Sequence, residues 1–246
     1  MNSLLNNNLI ILTLVIFLFI SCDQPESQNQ NQNQTSDPVT SVMTKESQAE
    51  LTPQEILEGL KEGNERYAEN ELTPRDYQAQ VSKTADGQYP EAIIISCVDS
   101  RVPVEHVFDK GVGDIFVARV AGNFVNEDIL GSTEFATAVA GSKVVVVMGH
   151  ESCGAVKAAI DDVEMGNITA MLSKIKPSVE MTEDFEGEKS TNNNEYVTEV
   201  VNNNVTHTIA EMRERSQIIA ELERNGDIVI AGAFYDLDTG KVTFLE

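Results

Sequence analysis

Two short fragments of this chain carry the chemistry: Cys97-Val98-Asp99-Ser100-Arg101 and His150-Glu151-Ser152-Cys153. Two thiols and one imidazole are enough to hold a zinc ion and leave its fourth position free. The fragments lie too far apart in sequence to form a local zinc finger. A fold must bring them together, and three-ligand zinc sites keep the remaining position for water or substrate. Asp99, two residues past Cys97, can reach that position. Arg101 can hold the Asp99 carboxylate in a forked pair. While Arg101 keeps Asp99 the fourth position is open; a released Asp99 can ligate the metal and close it. Cys153 is followed by Gly154-Ala155-Val156, which opens a helix, and a helix N-terminus favours thiolate. A Cys97–Cys153 disulfide is the alternative, and it leaves His150, Asp99 and Arg101 without a role.

The elements that must position these groups read as alternating strands and helices. Residues 92–97, Ala-Ile-Ile-Ile-Ser-Cys, form an unbroken apolar run ending at Cys97, as expected of a central parallel strand. Further strands are predicted over 115–120, 143–148, 227–232 and, more weakly, 241–245 after the Asp238-Thr239-Gly240 turn. Helical patterns fall between them at 129–140, 155–165 and 196–224. An earlier helix begins at Thr52-Pro53-Gln54-Glu55, where Thr52 caps, Pro53 suits the first turn and Glu55 completes a capping box. Residues 183–194 are polar and read as a surface loop. The alternation predicts an α/β fold with a central, mostly parallel sheet flanked by helices. In such a sheet ligands collect at the carboxyl ends of the strands, where Cys97 and His150 stand.

The start of the chain reads as an address. Residues 9–20 are apolar but shorter than the about 20 residues a membrane span needs, and they match the core of a secretory signal. The run ends at Ser21-Cys22, which resembles a bacterial lipoprotein signal in which the cysteine is cut and acylated. Residues 1–8 lack Lys and Arg, and Phe19 stands where leucine is usual. This reading makes 1–21 a signal peptide, Cys22 the lipidated residue, 22–50 a Gln/Asn-rich flexible tether and 51–246 the catalytic domain. An uncleaved anchor is the alternative. Either tethers the domain outside the cytoplasm, in the periplasm or on the cell surface, with the membrane as a partner. Lys and Arg number 17 against 40 Asp and Glu, a formal net charge of -23. That balance excludes nucleic acid as a partner and a polybasic membrane-surface mode.

Taken together, Cys-x-Asp-x-Arg, then Arg119-Val120-Ala121-Gly122-Asn123, then His-x-x-Cys-Gly closely resemble the β-class carbonic anhydrases. The resemblance runs from about Thr52 to the C-terminus, including Gly232-Ala233-Phe234-Tyr235-Asp236. It implies Cys97, His150 and Cys153 as ligands of one Zn2+ per chain, with Asp99 and Arg101 as the catalytic dyad. It implies Gln88 as a hydrogen-bonding partner of substrate and Phe116, Val120, Phe135 and Gly154 as residues lining the substrate pocket. Phe135 falls where a tyrosine is common. Phe116, Val120 and Phe135 read equally well as core. The implied reaction is reversible hydration of CO2 to bicarbonate and a proton through a zinc-bound hydroxide. Hydrolysis of carbonyl sulfide or CS2 on the same fold, or a non-catalytic zinc-binding domain, are the alternatives. Neither His106 nor His207 stands out as a proton shuttle. The family also implies a homodimer or tetramer, with the helix over 53–70 packed on the partner subunit.

Overall fold

The computed structural model describes residues 37–245. A first helix, α1 (Lys45–Glu50), precedes α2 (Pro53–Ala68) and α3 (Tyr77–Thr84). Next come β1 (Ala92–Ser96), α4 (Val104–Val107), β2 (Ile115–Arg119) and α5 (Glu127–Glu134), whose last turn widens into a π-turn over Phe135–Val139. They are followed by β3 (Val144–His150), α6 (Gly154–Ile160), α7 (Gly166–Leu172), α8 (Lys176–Glu180), α9 (Asn194–Arg215) and α10 (Gln217–Asn225). The chain closes with β4 (Val229–Tyr235) and β5 (Val242–Phe244).

The strands form one sheet in the order β2-β1-β3-β4-β5. All neighbours are parallel except β4 and β5. β1 and β3 read as continuous apolar runs because both of their faces are covered. Ile94, Val144, Val146 and Met148 face α2 and pack with Ile56, Leu60, Val107 and Phe108. Ile93, Ile95, Val145 and Val147 face the other way, onto Val205, Ile209, Met212 and Ile219. Each such side chain, fully buried, contributes about 1.5–3 kcal/mol. The α9 side is packed tightly: a Cβ on Gly149 would fall 2.6 Å from Val201 Cγ1, so β3 admits the helix only with glycine there.

The chain leaves β1 toward β2 on one side and returns to β3 on the other. That reversal of direction opens a crevice at the carboxyl ends of β1 and β3. It is the point where Cys97 and His150 emerge.

The structure corrects several expectations. The tether does not extend to residue 50. Val39 bridges Arg75, and α1 is capped by a reciprocal Thr44–Ser47 box. The Gln48 side chain is buried and donates to Pro90 O and Ala140 O at 2.8 and 2.9 Å. Lys143 Nζ reaches the α1 carbonyls of Gln48 and Ala49. The folded domain therefore takes in residues 37–50, and this strap crosses the amino ends of the strands. One face of α2 covers its own sheet, with Ile56 and Leu60 in the core. The predicted helix over 196–224 breaks at Ser216, whose hydroxyl caps α10 by accepting Ile219 N and donates to Glu134. The expected signal peptide and the expected lipidation site Cys22 lie outside the described residues. Among the described residues, no helix is long and apolar enough to cross a membrane.

Candidate metal centre

Cys97 directly follows β1, β3 ends in His150, and Cys153 is the N-cap of α6. The turn between β3 and α6 is tight, with Ser152 at φ 52°. Glu151 N bonds Tyr235 O, and Glu151 Oε2 accepts from Leu237 N at 3.2 Å, which fastens the turn to the end of β4. The two sulfurs and the imidazole nitrogen all lie within 4.8 Å of one another. All three residues are buried.

The sulfurs are 4.0 Å apart and both cysteines are free, so the disulfide alternative is set aside. Two thiolates on one tetrahedral zinc stand about 3.8 Å apart, from a Zn–S bond of about 2.3 Å. The observed spacing fits that arrangement. His150 Nδ1 lies 2.9 Å from Glu151 O. A carbonyl only accepts, so Nδ1 carries the hydrogen, and in the neutral ring Nε2 is then the nitrogen with the free lone pair. Nε2 is buried and has no hydrogen-bond partner, which is the state a metal ligand requires. Cys97 is drawn down, chiefly by the hydrogen bond from Cys153, with His150 and the Gly122 amide helping against burial. Cys153 is pushed up by the same contact with Cys97 and by burial. Burial opposes two adjacent thiolates, and a divalent cation is what stabilises both sulfurs as thiolate.

Asp99 is held by Arg101 through three bonds. Arg101 N and Nε each donate to Oδ1 at 2.9 Å, and Nη2 donates to Oδ2 at 2.8 Å. The Arg101 side chain is the main reason the Asp99 carboxyl sits well below its ordinary range. Oδ2 lies 3.8 Å from His150 Nε2, beside the ligand cluster and outside it. This is the open arrangement of the two foreseen from the sequence.

Arg119 holds the loop that carries the dyad. Its Nη1 donates to Cys97 O at 2.9 Å and its Nη2 to Val102 O at 2.6 Å, so one guanidinium clamps both ends of 97–102. Arg119 and Gly122 both stand in the Arg119–Asn123 motif, whose residue types alone assign neither a task; the Gly122 N–H meets the Cys97 sulfur.

The remaining pocket residues separate. Val120 packs beside Cys97, Cys153 and Phe124. Gly154 opens α6, with nothing within 4 Å of where a Cβ would stand. Phe116 and Phe135 stack edge to face, centroids 6.3 Å apart, and line a groove of about 630 Å3 on the open β2 edge together with Ile93, Ala118 and Ile129. Gln88 is not brought to the metal cluster of its own chain. It is exposed, in a surface cavity with Thr84, Gly87 and Gly113. Gln88 precedes β1 and Cys97 follows it, and a strand of that length puts roughly 16 Å between its ends.

Residues 92–242 match the family model described as carbonic anhydrase. Carbonic anhydrase 2 of Mycobacterium tuberculosis is 36% identical over 200 residues, covering 79% of this chain and 93% of the relative. The carbonic anhydrase of Mycolicibacterium smegmatis is 33% identical over 196 residues, covering 77% and 92%. Among solved structures, a Coccomyxa β-carbonic anhydrase in complex with acetazolamide superposes with a TM-score of 0.60 at 25% identity, covering 77% of this chain and 84% of that one. One of two tetrameric β-carbonic anhydrases from Sordaria macrospora gives 0.59 at 27% identity, covering 67% and 84%.

Proposed function

This chain belongs to the β-class carbonic anhydrases, and from that premise we infer how its own residues divide the work of zinc-dependent, reversible hydration of CO2 to bicarbonate and a proton. The observation that carries the reading is the buried Cys97–His150–Cys153 cluster with a carboxylate held just beside it. Cys97, His150 and Cys153 hold the zinc, which when bound lowers the pKa of a water and supplies a nucleophile near neutral pH. Asp99 stays ionised because Arg101 forks onto it. Its Oδ2 is the acceptor for a hydrogen of the attacking water, which fixes the direction of that oxygen's lone pair. Arg101 keeps the carboxylate off the cluster and the site open. Val120 supplies an apolar wall for CO2, which has no net dipole and gains little from polar donors. Gly154 leaves room at the mouth.

Two thiolates cancel the formal charge of the ion, so the water should ionise above the value of about 7 found on three-histidine sites. Stopped-flow CO2 hydration in weak buffer tests both points. Catalysis in proportion to zinc content, rising from pH 7 to 9, is expected. A flat profile contradicts the charge argument, and no activity across that range in zinc-loaded protein contradicts the assignment.

The open β2 edge and the groove beside it support a homodimer. Phe135, which lines this groove, is 54% exposed, and an unpaired edge strand is a template for a second chain. The wild type should sediment at twice the chain mass and Phe135→Glu as a monomer; an unshifted variant places the contact elsewhere.

The apolar run over 9–20 and Ser21-Cys22 support a lipid anchor on Cys22, outside the cytoplasm. Fractionation should find the protein with membranes and Cys22→Ala in the soluble fraction. Recovery of both in the soluble fraction removes the anchor.

A further inference from the structure

Gly122 occupies the third position of a turn closed by Asn123 N donating to Val120 O at 2.9 Å. Its φ is +88° while Ala121 keeps a negative φ, which makes this a type II turn. Relative to a type I turn the Ala121–Gly122 peptide is flipped. Its N–H is directed at Cys97 Sγ, 3.3 Å away. A type I turn would aim a carbonyl at the sulfur. The carbonyl after it, Gly122 O, accepts from Asn204 Nδ2 at 2.7 Å. Asn204 lies on α9 and is fully buried. Ser178 on α8 donates to Asn204 Oδ1 at 3.3 Å, which orients the amide with its nitrogen toward Gly122. A buried amide is costly unless both its ends are paired; here one end is paired to a neighbouring helix and the other to the turn that touches a ligand sulfur.

We propose that Asn204 is a positioning residue of the metal centre: by pinning the Gly122 carbonyl it keeps the turn in the form that delivers the Gly122 N–H to the Cys97 sulfur. A hydrogen-bond donor on a ligand sulfur withdraws electron density and fixes the direction of the lone pair offered to the metal. Asn204 acts through Gly122 and touches neither metal nor substrate. The proposal rests on the reading of Cys97 as a ligand.

Two variants test it. Asn204→Leu keeps the bulk and removes the donor. Ser178→Ala leaves Asn204 in place and frees its orientation. Met212→Ala, on the same helix but in the core against the sheet, controls for loss of helix stability. Zinc affinity is read by chelator competition, and the sulfur by the thiolate-to-metal charge-transfer absorption of the cobalt(II)-loaded protein.

Asn204→Leu should bind zinc about 10-fold more weakly or worse. Its charge-transfer band should move to longer wavelength, because a sulfur without its N–H donor is easier to oxidise. Ser178→Ala should shift both in the same direction by less. Met212→Ala should melt earlier with the wild-type band. An unmoved band and wild-type affinity in Asn204→Leu overturn the proposal, as does a Met212→Ala band that moves equally. Should Asn204→Leu fail to fold, Ser178→Ala decides: an unmoved band there overturns it. Failure of the wild-type protein to bind zinc or cobalt overturns the ligand reading itself, a result distinct from these.

Discussion

Cys153→Ala protein is expected to fold, to hold well under one zinc per chain, and to lose CO2 hydration by on the order of 10³-fold or more, because without the ion the pKa of water returns toward 15.7. The substitution deletes one sulfur and little else. Cys153 caps α6 with no side-chain hydrogen bond to its first turn, so the helix does not depend on the thiol. Its loss leaves Cys97 and His150, a two-ligand set that binds zinc far more weakly than three. The Cys97 thiol also loses the hydrogen bond that chiefly draws it down, so the remaining sulfur is a poorer ligand at neutral pH. Metal analysis of the purified variant beside its circular dichroism checks this. Full zinc occupancy in a folded variant would remove Cys153 from the site.

Asp99→Asn should leave the metal in place and still depress the rate. Zinc content stays near one per chain, since Asp99 stands outside the ligand cluster. Turnover falls by roughly 10²–10⁴-fold, the range for loss of a positioned acid–base group. The reason is local. Asp99 accepts three bonds from Arg101 with two oxygens, while an asparagine offers one acceptor oxygen and turns an N–H₂ toward the guanidinium. The fork is lost, and with it the direction of the acceptor at the site. Parallel measurement of zinc content and turnover distinguishes this from a ligand role. Wild-type turnover with full zinc would take Asp99 out of the mechanism, and loss of zinc would make it a structural ligand.

The ligand set was legible because each ligand ends an element whose pattern is plain. Cys97 follows five apolar or small residues that form β1, and His150 closes the Val-Val-Val-Val-Met-Gly run of β3. Strand order was not legible, because crossover connections decide it and no local pattern records them. That β1 and β3 are neighbours is a result of the fold. Gln88 precedes β1 and Cys97 follows it, so the extended strand alone keeps the two apart within one chain. The strap over 37–50 was lost to averaging: a Gln/Asn-rich composition hides one glutamine buried under Gly141 and the Pro90 carbonyl.

Asn204 shows the same effect in reverse. It stands in Asn202-Asn203-Asn204, which reads as solvated surface. Yet Val197, Val200, Val201, Asn204, Val205 and Thr208 fall on one face at helical spacing, and a lone amide in an apolar stripe is the signal that could have been used. The break at Ser216 left a weaker trace, a capping residue three positions before Ile219 with no glycine or proline to mark it.

The most direct test of the whole account is zinc-edge X-ray absorption of the wild-type enzyme as purified, with free thiols counted on the same sample. Two sulfurs at about 2.3 Å, one imidazole nitrogen and one oxygen at about 2.0–2.1 Å are expected, with Cys97 and Cys153 both protected by the metal. A coordination shell without sulfur, or a metal-free protein with those two cysteines joined in a disulfide, would contradict it.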